Sequence, residues 1–194
     1  DAELAEAARL AREYGVSYRA LSREELAKEE PHIRGDFVGG LKWNDPWSVT
    51  NPHGLTQAYL TYFQSLGGRF VKGDATSLET GASGKGWRVK TDDGMVEGDD
   101  VVLALGPWSE EVTRKFGYRF LLGVKRGYHM HYAPEGNAVL NNWTMDAERG
   151  YFLAPMEKGI RLTTGAEFAN RDAPKSPVQL ARAEKVAREI FPLA

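Results

Sequence analysis

The chain has 194 residues, 42% hydrophobic and 27% charged, the balance of an ordinary globular domain, which argues against long disorder and leaves room for one large domain rather than two. Its 25 Lys and Arg against 27 Asp and Glu give a formal net charge of −2 with the signs interspersed, so there is no polyanion footprint and no nucleic-acid partner is expected. Cysteine is absent and no apolar run approaches the roughly 18 residues of a membrane span, which excludes disulfide scaffolds, thiolate metal sites, cysteine nucleophiles and a transmembrane segment, and makes a reducing, cytoplasmic setting the expectation.

In chain order, Ala2 to Tyr14 carries Leu4, Ala7, Ala8, Ala11 and Tyr14 at helical spacing and stops at Gly15. The acidic run Asp1 to Leu10 has no basic leader character, so no secretion signal is read there. Ser22 with Glu25 three residues on predicts a capping box for a short helix ending before Pro31. Gly35 to Val49 reads as irregular strand and loop. Asn51-Pro52 opens the clearest helix, with Leu55, Ala58, Tyr59, Tyr62, Phe63 and Leu66 on one face and Gly67-Gly68 at its end. Short strands are expected at Arg69 to Lys72, Ala75 to Thr80 and Trp87 to Thr91, with Asp93-Gly94 as a hairpin signal. Val101 to Leu105 reads as a fully buried strand entering Gly106-Pro107, with Ser109 capping a helix to Phe116. Further strands are predicted at Gly127 to Tyr132, Tyr151 to Leu153 and Ile160 to Thr164, then a helix from about Pro177 to Phe191. A helix already in stride at the first residue, no initiating Met and a stop just after Pro192 suggest a segment of a longer polypeptide.

The informative segment is Asp100-Val-Val-Leu-Ala-Leu-Gly-Pro-Trp-Ser109: a buried strand ending in Gly lets backbone approach a ligand, and the helix that follows offers unpaired N–H groups. It resembles the strand that passes under the flavin in the FAD-dependent D-amino-acid oxidase, glycine oxidase and D-amino-acid dehydrogenase superfamily. Other segments resemble the same family in the same order: Asp45 to His53, Gly67 to Val71 with Ala75 to Glu79, Val124 to Met130, and Arg149 to Glu157 with Arg161 and Gly165 to Phe168. The likeness runs from about residue 22 to the end.

The resemblance implies an α+β or α/β fold, a mixed β-sheet substrate-binding domain with flanking helices plus part of an FAD-binding domain. It divides as a helical and loop lead-in (1–50), an FAD-side segment (51–110) and a substrate-side sheet with the last helix (111–194). It implies backbone contacts to FAD from Ala75 and from Ala104, Leu105, Gly106, Pro107 and Trp108, and substrate contacts from Tyr128, His129, Met130, Tyr151 and Phe152, with no dedicated acid or base among them. Tyr151 and Phe152 both stand where the family often has a substrate-contacting Tyr, and Phe152 aligns better by its distance to Pro155. The activity implied is oxidation of a small amino acid or amine by hydride transfer to flavin. Lys125 to His129 with Pro155 to Glu157 is most like the D-amino-acid dehydrogenases, whose electron acceptor would allow a location peripheral to a membrane.

The family's G-x-G-x-x-G pyrophosphate loop and its W-x-G-x-R-P carboxylate clamp have no match here, so the chain by itself is expected to hold FAD weakly and to be inactive, with its partners being the remaining N- and C-terminal parts of the same polypeptide. Gly81 to Gly86 lacks the spacing of a phosphate loop and reads as a solvated turn. His129 and His131 alternate on one strand face as metal ligands do, but no third ligand is evident, so no metal is expected. The rival readings are a non-catalytic α+β binding or interaction domain and a sarcosine- or glycerol-phosphate-type flavoenzyme.

Overall fold

Helix and strand signals dominate where periodicity is strong. The computed structural model describes residues 2–194; Asp1, the first residue of the acidic N-terminal run, lies outside the described residues. The described chain forms an α+β fold that divides into two compact units, one comprising the chain through Pro52 with Gly127–Glu167 and Pro174–Ala194, the other comprising His53–Arg126 and Phe168–Ala173.

In the first unit, α1 (Ala2–Glu13) carries Arg9 paired to both Glu6 and Glu13 on its solvent side, and Gly15 ends it in the left-handed region at φ +66. A two-stranded antiparallel ribbon of β1 (Tyr18–Ser22) and β2 (Gly39–Trp43) follows, with the Tyr18 and Trp43 rings edge to face at 6.3 Å. Between them lies α2 (Arg23–Glu29), whose capping box closes as expected: the Ser22 hydroxyl accepts from Glu25 N, and the Glu25 carboxylate accepts from Ser22 N. Glu30, only 3% exposed, follows it and accepts from Asn141 N at 2.9 Å and Asn142 Nδ2 at 2.6 Å, so its buried carboxyl oxygens are satisfied by hydrogen-bond donors.

The main sheet of this unit has the order β6-β9-β8-β7, with β6 at Lys125–Tyr132, β7 at Thr144–Asp146, β8 at Tyr151–Met156 and β9 at Gly159–Phe168. Along β8 and β9, which pair antiparallel, Tyr151, Leu153, Ile160 and Leu162 point to one face. There they form the core with Ala138, Leu140, Ala187, Phe191 and Leu193, and Leu180, Ala183 and Val186 of α5 (Val178–Ile190) pack against it. The helix covers one face of the sheet because its apolar stripe matches that alternation.

The second unit holds α3 (Pro52–Ser65) and an antiparallel sheet in the order β3-β4-β5, from β3 (Glu79–Thr80), β4 (Trp87–Thr91) and β5 (Gly94–Gly98). The Thr91 hydroxyl fastens the β4–β5 turn, donating to Gly94 O at 2.7 Å and accepting from Asp93 N at 3.2 Å. The apolar stripe of α3 is exposed, with Tyr59, Tyr62 and Leu66 between 64% and 70% accessible, because no element of the described residues covers it. Three strand expectations are corrected. Residues 101–105 belong to no strand: they find no neighbouring strand among the described residues, and Val102 is 88% exposed while Leu103 is half-buried. Arg69 to Lys72 likewise remains irregular, and Ala75 to Thr80 is a 3-10 turn at Ala75–Ser77 with only Glu79–Thr80 in a strand, because Asp74 caps the turn.

Candidate functional site

Two features carry chemistry, one in each unit. In the second unit, Gly73 bridges to Thr91, and a Cβ on it would lie 2.6 Å from the Lys90 carbonyl oxygen, so only glycine permits this approach. Asp74 then caps a short 3-10 turn, Ala75–Ser77, its carboxylate accepting from Thr76 N at 2.8 Å and from the Thr76 hydroxyl at 2.6 Å. Those bonds hold the Asp74 carboxyl below its ordinary range.

The chain returns to the same place through Gly106–Trp108, a 3-10 turn that leads into α4 (Ser109–Thr113). Ser109 is thus the first residue of that helix, with Trp108 at the cap position and no side-chain capping bond, because the Gly-Pro-Trp turn already bends the chain into helical geometry. Arg171 fastens this turn: its guanidinium pairs with Glu111 at 2.5 Å and Asp172 at 2.8 Å, and lies 5.3 Å from the Trp108 ring centroid. Gly73 to Thr76 on one side and Leu105, Trp108, Glu111 and Val112 on the other enclose a cleft of about 260 Å³.

The structure therefore brings together Ala75, Leu105 and Trp108, three of the residues expected to touch a cofactor. Gly106 sits at φ +54, and a Cβ on it would meet nothing within 4 Å, so this backbone stands open to an approaching group. Pro107 lies in the same turn, and Ala104 is exposed just before it. The cleft is below the ~300–1,000 Å³ typical of small-molecule sites, so it fits a part of a dinucleotide and not the whole. Within that limit its small and apolar residues, Gly73, Ala75, Leu105, Trp108 and Val112, suit an uncharged part of the group, while Asp74 and Glu111 disfavour its phosphates there.

In the first unit, the register decides which side chains share the sheet face opposite α5. Phe152 faces Thr163 and Met145, and Ala154 faces Arg161, so these lie on one face. The Arg161 guanidinium donates through Nε to His131 Nε2 at 3.2 Å, which puts His131 on that face, and the His129 ring meets His131 edge to face at 5.6 Å. Trp143 tilts against Phe152 with centroids 6.0 Å apart. The result is a face with aromatics on one side and a cation with two imidazoles on the other. Burial first, then Arg161, His129 and Lys158, hold His131 below its ordinary value, so it accepts from Arg161 as a neutral ring.

Not all the expected substrate residues meet here. Tyr151 is 1% exposed within the core under α5, and burial, reinforced by the nearby Asp146 carboxylate, pushes its hydroxyl strongly up. Tyr128 points away from the histidines and is engaged at both ends of its hydroxyl, donating to Glu167 at 2.8 Å and accepting from Ser176 N at 2.9 Å. Met130 shares the Tyr128 side of β6 by alternation and is 48% exposed. His129 and Phe152 remain on the open face. Arg161 and Arg171 were missed as contributors; the Ile160-Arg161-Leu162-Thr163 alternation was the available signal for the first, whereas Arg171 comes to Trp108 through a tertiary contact that no local pattern announces.

Comparison with known proteins gives the same direction. The family model described as FAD dependent oxidoreductase matches residues 1–194. A D-amino acid dehydrogenase of Bradyrhizobium diazoefficiens is 27% identical over 188 residues, covering 93% of this chain and 44% of that protein. A D-amino acid dehydrogenase of Phenylobacterium zucineum is 31% identical over 186 residues, covering 93% of this chain and 43% of that protein. The crystal structure of glycine oxidase from Bacillus cereus superposes with a TM-score of 0.74 at 18% identity, over 98% of this chain and 52% of that one. The chain thus spans less than half the length of these curated relatives. No helix among the described residues is long and apolar enough to cross a membrane.

Proposed function

The chain belongs to the FAD-dependent oxidoreductase family, and from that premise we propose that it is the substrate-side segment of a longer enzyme that oxidises an amino acid or amine, most like a D-amino acid dehydrogenase. The observation that carries the reading is the convergence of Ala75, Leu105 and Trp108 on one cleft, from segments far apart in the chain. The D-amino acid dehydrogenases among the sequence relatives support the choice of substrate and of a dehydrogenase, and a D-amino-acid oxidase stands among them as the alternative.

FAD, when bound, supplies the acceptor for the hydride leaving the carbon that bears the amine. This chain supplies positions. Ala75 and the turn Ala104, Leu105, Gly106, Pro107 and Trp108 would hold the dinucleotide through backbone, with Arg171 keeping Trp108 and Glu111 in place. His129 and Phe152 would meet the substrate from the open sheet face, and orientation with exclusion of water would be their contribution. Tyr128, Met130 and Tyr151 would support that face from behind. The domain reading takes 51–110 as the cofactor-side segment, 111–194 as the substrate-side sheet and helix, and 1–50 as lead-in; the compact units differ from it in grouping the chain through Pro52 with the sheet, and 111–126 and 168–173 with the cleft.

The test is anaerobic addition of D-amino acids to the complete flavin-loaded polypeptide. Loss of the oxidised flavin absorbance on addition of a D-amino acid supports the reading; a flavin that stays oxidised with every amino acid and secondary amine tried defeats it.

A further inference from the structure

Trp143 and Met145, at the β7 edge of the main sheet, are large apolar side chains that stand 46% and 52% exposed. The segment that carries them is tethered from behind. The buried Glu30 carboxylate accepts from Asn141 N at 2.9 Å and from Asn142 Nδ2 at 2.6 Å, Asn141 Nδ2 donates to Glu29 O at 2.8 Å, and the Thr144 hydroxyl donates to Asn142 O at 3.2 Å. Thr144 pairs with Leu153, which lies in the core, so Trp143 and Met145 on either side of it project to the opposite, open face. There Met145 stands directly across from Phe152 in the antiparallel register, and the Trp143 ring lies 6.0 Å from the Phe152 ring at 56°. Three apolar side chains from two strands thus form one surface around Phe152. The polar groups of the same face, His129, His131 and Arg161, belong to β6 and β9, at the other side of the strand order β6-β9-β8-β7.

Resting on the functional reading above, which puts Phe152 at the substrate, we propose that Trp143 and Met145 receive the substrate's side chain and make the enzyme select amino acids with a large apolar one. A ligand that touches Phe152 from the open side meets these two residues next. An anchored aromatic ring beside a flexible thioether suits an apolar group of variable shape and offers no partner to a charged one. Glu30 acts only through the segment it holds and is a positioning residue for Trp143.

The test is steady-state dye reduction by the complete flavin-loaded polypeptide with D-alanine, D-leucine and D-phenylalanine, for wild type, Trp143→Ala, Met145→Ala and Trp143→Phe. The quantity read is kcat/KM for each large substrate relative to D-alanine, which a loss of folded enzyme does not move. Wild type should favour the large substrates. In Trp143→Ala that preference should fall roughly ten- to hundredfold, with a smaller fall in Met145→Ala, while Trp143→Phe keeps most of it. A larger fall for D-phenylalanine than for D-leucine identifies an aromatic side chain as the occupant; equal falls identify an apolar one of either kind. No preference in wild type, or a preference unchanged in both alanine variants, overturns the proposal and leaves Trp143 as a cover for Phe152. Calorimetric titration of the same polypeptide with phenylacetate and acetate gives a readout independent of turnover. Phenylacetate bound more tightly than acetate by wild type, with the difference lost in Trp143→Ala, supports the site even if no amino acid is oxidised, in which case only the functional reading fails. A difference that persists in Trp143→Ala, or phenylacetate bound no more tightly than acetate, counts against it.

Discussion

Replacing Gly106 by Val separates a cofactor-facing glycine from one that only turns the chain. The backbone there is at φ +54, where an L side chain costs about 1–2 kcal/mol. A Cβ would meet nothing within 4 Å, so the chain itself adds no steric charge to that figure. For a domain of this size each kcal/mol lowers Tm by about 2–4 °C, so a loss of roughly 2–8 °C is expected from the backbone alone. Gly106→Ala carries a smaller backbone cost, because a β-branched side chain is the least tolerated at positive φ. Val should therefore melt somewhat below Ala as apoprotein, and beyond that it projects further into the space assigned to the flavin, with an overpacking cost of about 1–3 kcal/mol, or roughly five- to 150-fold in flavin Kd relative to Ala. The assay is flavin release from the complete polypeptide, followed by fluorescence, beside thermal melting of the apoprotein. Equal flavin affinity in Gly106→Val and Gly106→Ala would refute the argument and return the turn to a purely structural role.

Three further outcomes are expected. The 194-residue chain alone should show no micromolar binding in calorimetric titration with FAD, because the cleft accommodates only part of the dinucleotide; tight binding would mean a contact surface the cleft does not account for. Leu162→Ala, at a fully buried position between the sheet and α5, should cost about 2–5 kcal/mol in urea unfolding, and a loss under 1 kcal/mol would contradict the core assignment. His131 is held below its ordinary value, so between about 6.5 and its lower folded value the unfolded chain binds a proton that the fold refuses. Stability should fall as pH drops through that window, and His131→Gln, facing the same Arg161, His129 and Lys158, should flatten the loss; an unchanged pH profile in the variant would remove His131 as its source.

Elements with strong local signals were legible in the sequence. The Ser22–Glu25 capping box, the helices at Ala2–Glu13, Pro52–Ser65 and Val178–Ile190, and strands β4, β6, β8 and β9 each rest on a period or a cap that the residues carry themselves. The ribbon strand Tyr18–Ser22 was not legible, because its pairing with Gly39–Trp43 is a tertiary event between two sequences of mixed character. The run 101–105 misled in the opposite sense: its apolar character is real, but a strand exists only with a partner, and none of the described residues provides one. At the sites, the family resemblance linked Ala75 and Trp108 through one cofactor, yet alternation along β8 could not tell which of Tyr151 and Phe152, on opposite faces, would lie in the core. Arg161 shows the same limit, since its bond to His131 appears only once β6 and β9 lie side by side.

Hydrogen exchange followed by mass spectrometry, on the complete polypeptide with and without FAD, tests the central claim most directly. The account predicts that FAD slows exchange in residues 73–78 and 103–112, the two segments that line the cleft, with smaller changes along α1 and the β1–β2 ribbon. Protection confined to other parts of the polypeptide, with both cleft segments exchanging at the same rate in either state, would contradict it.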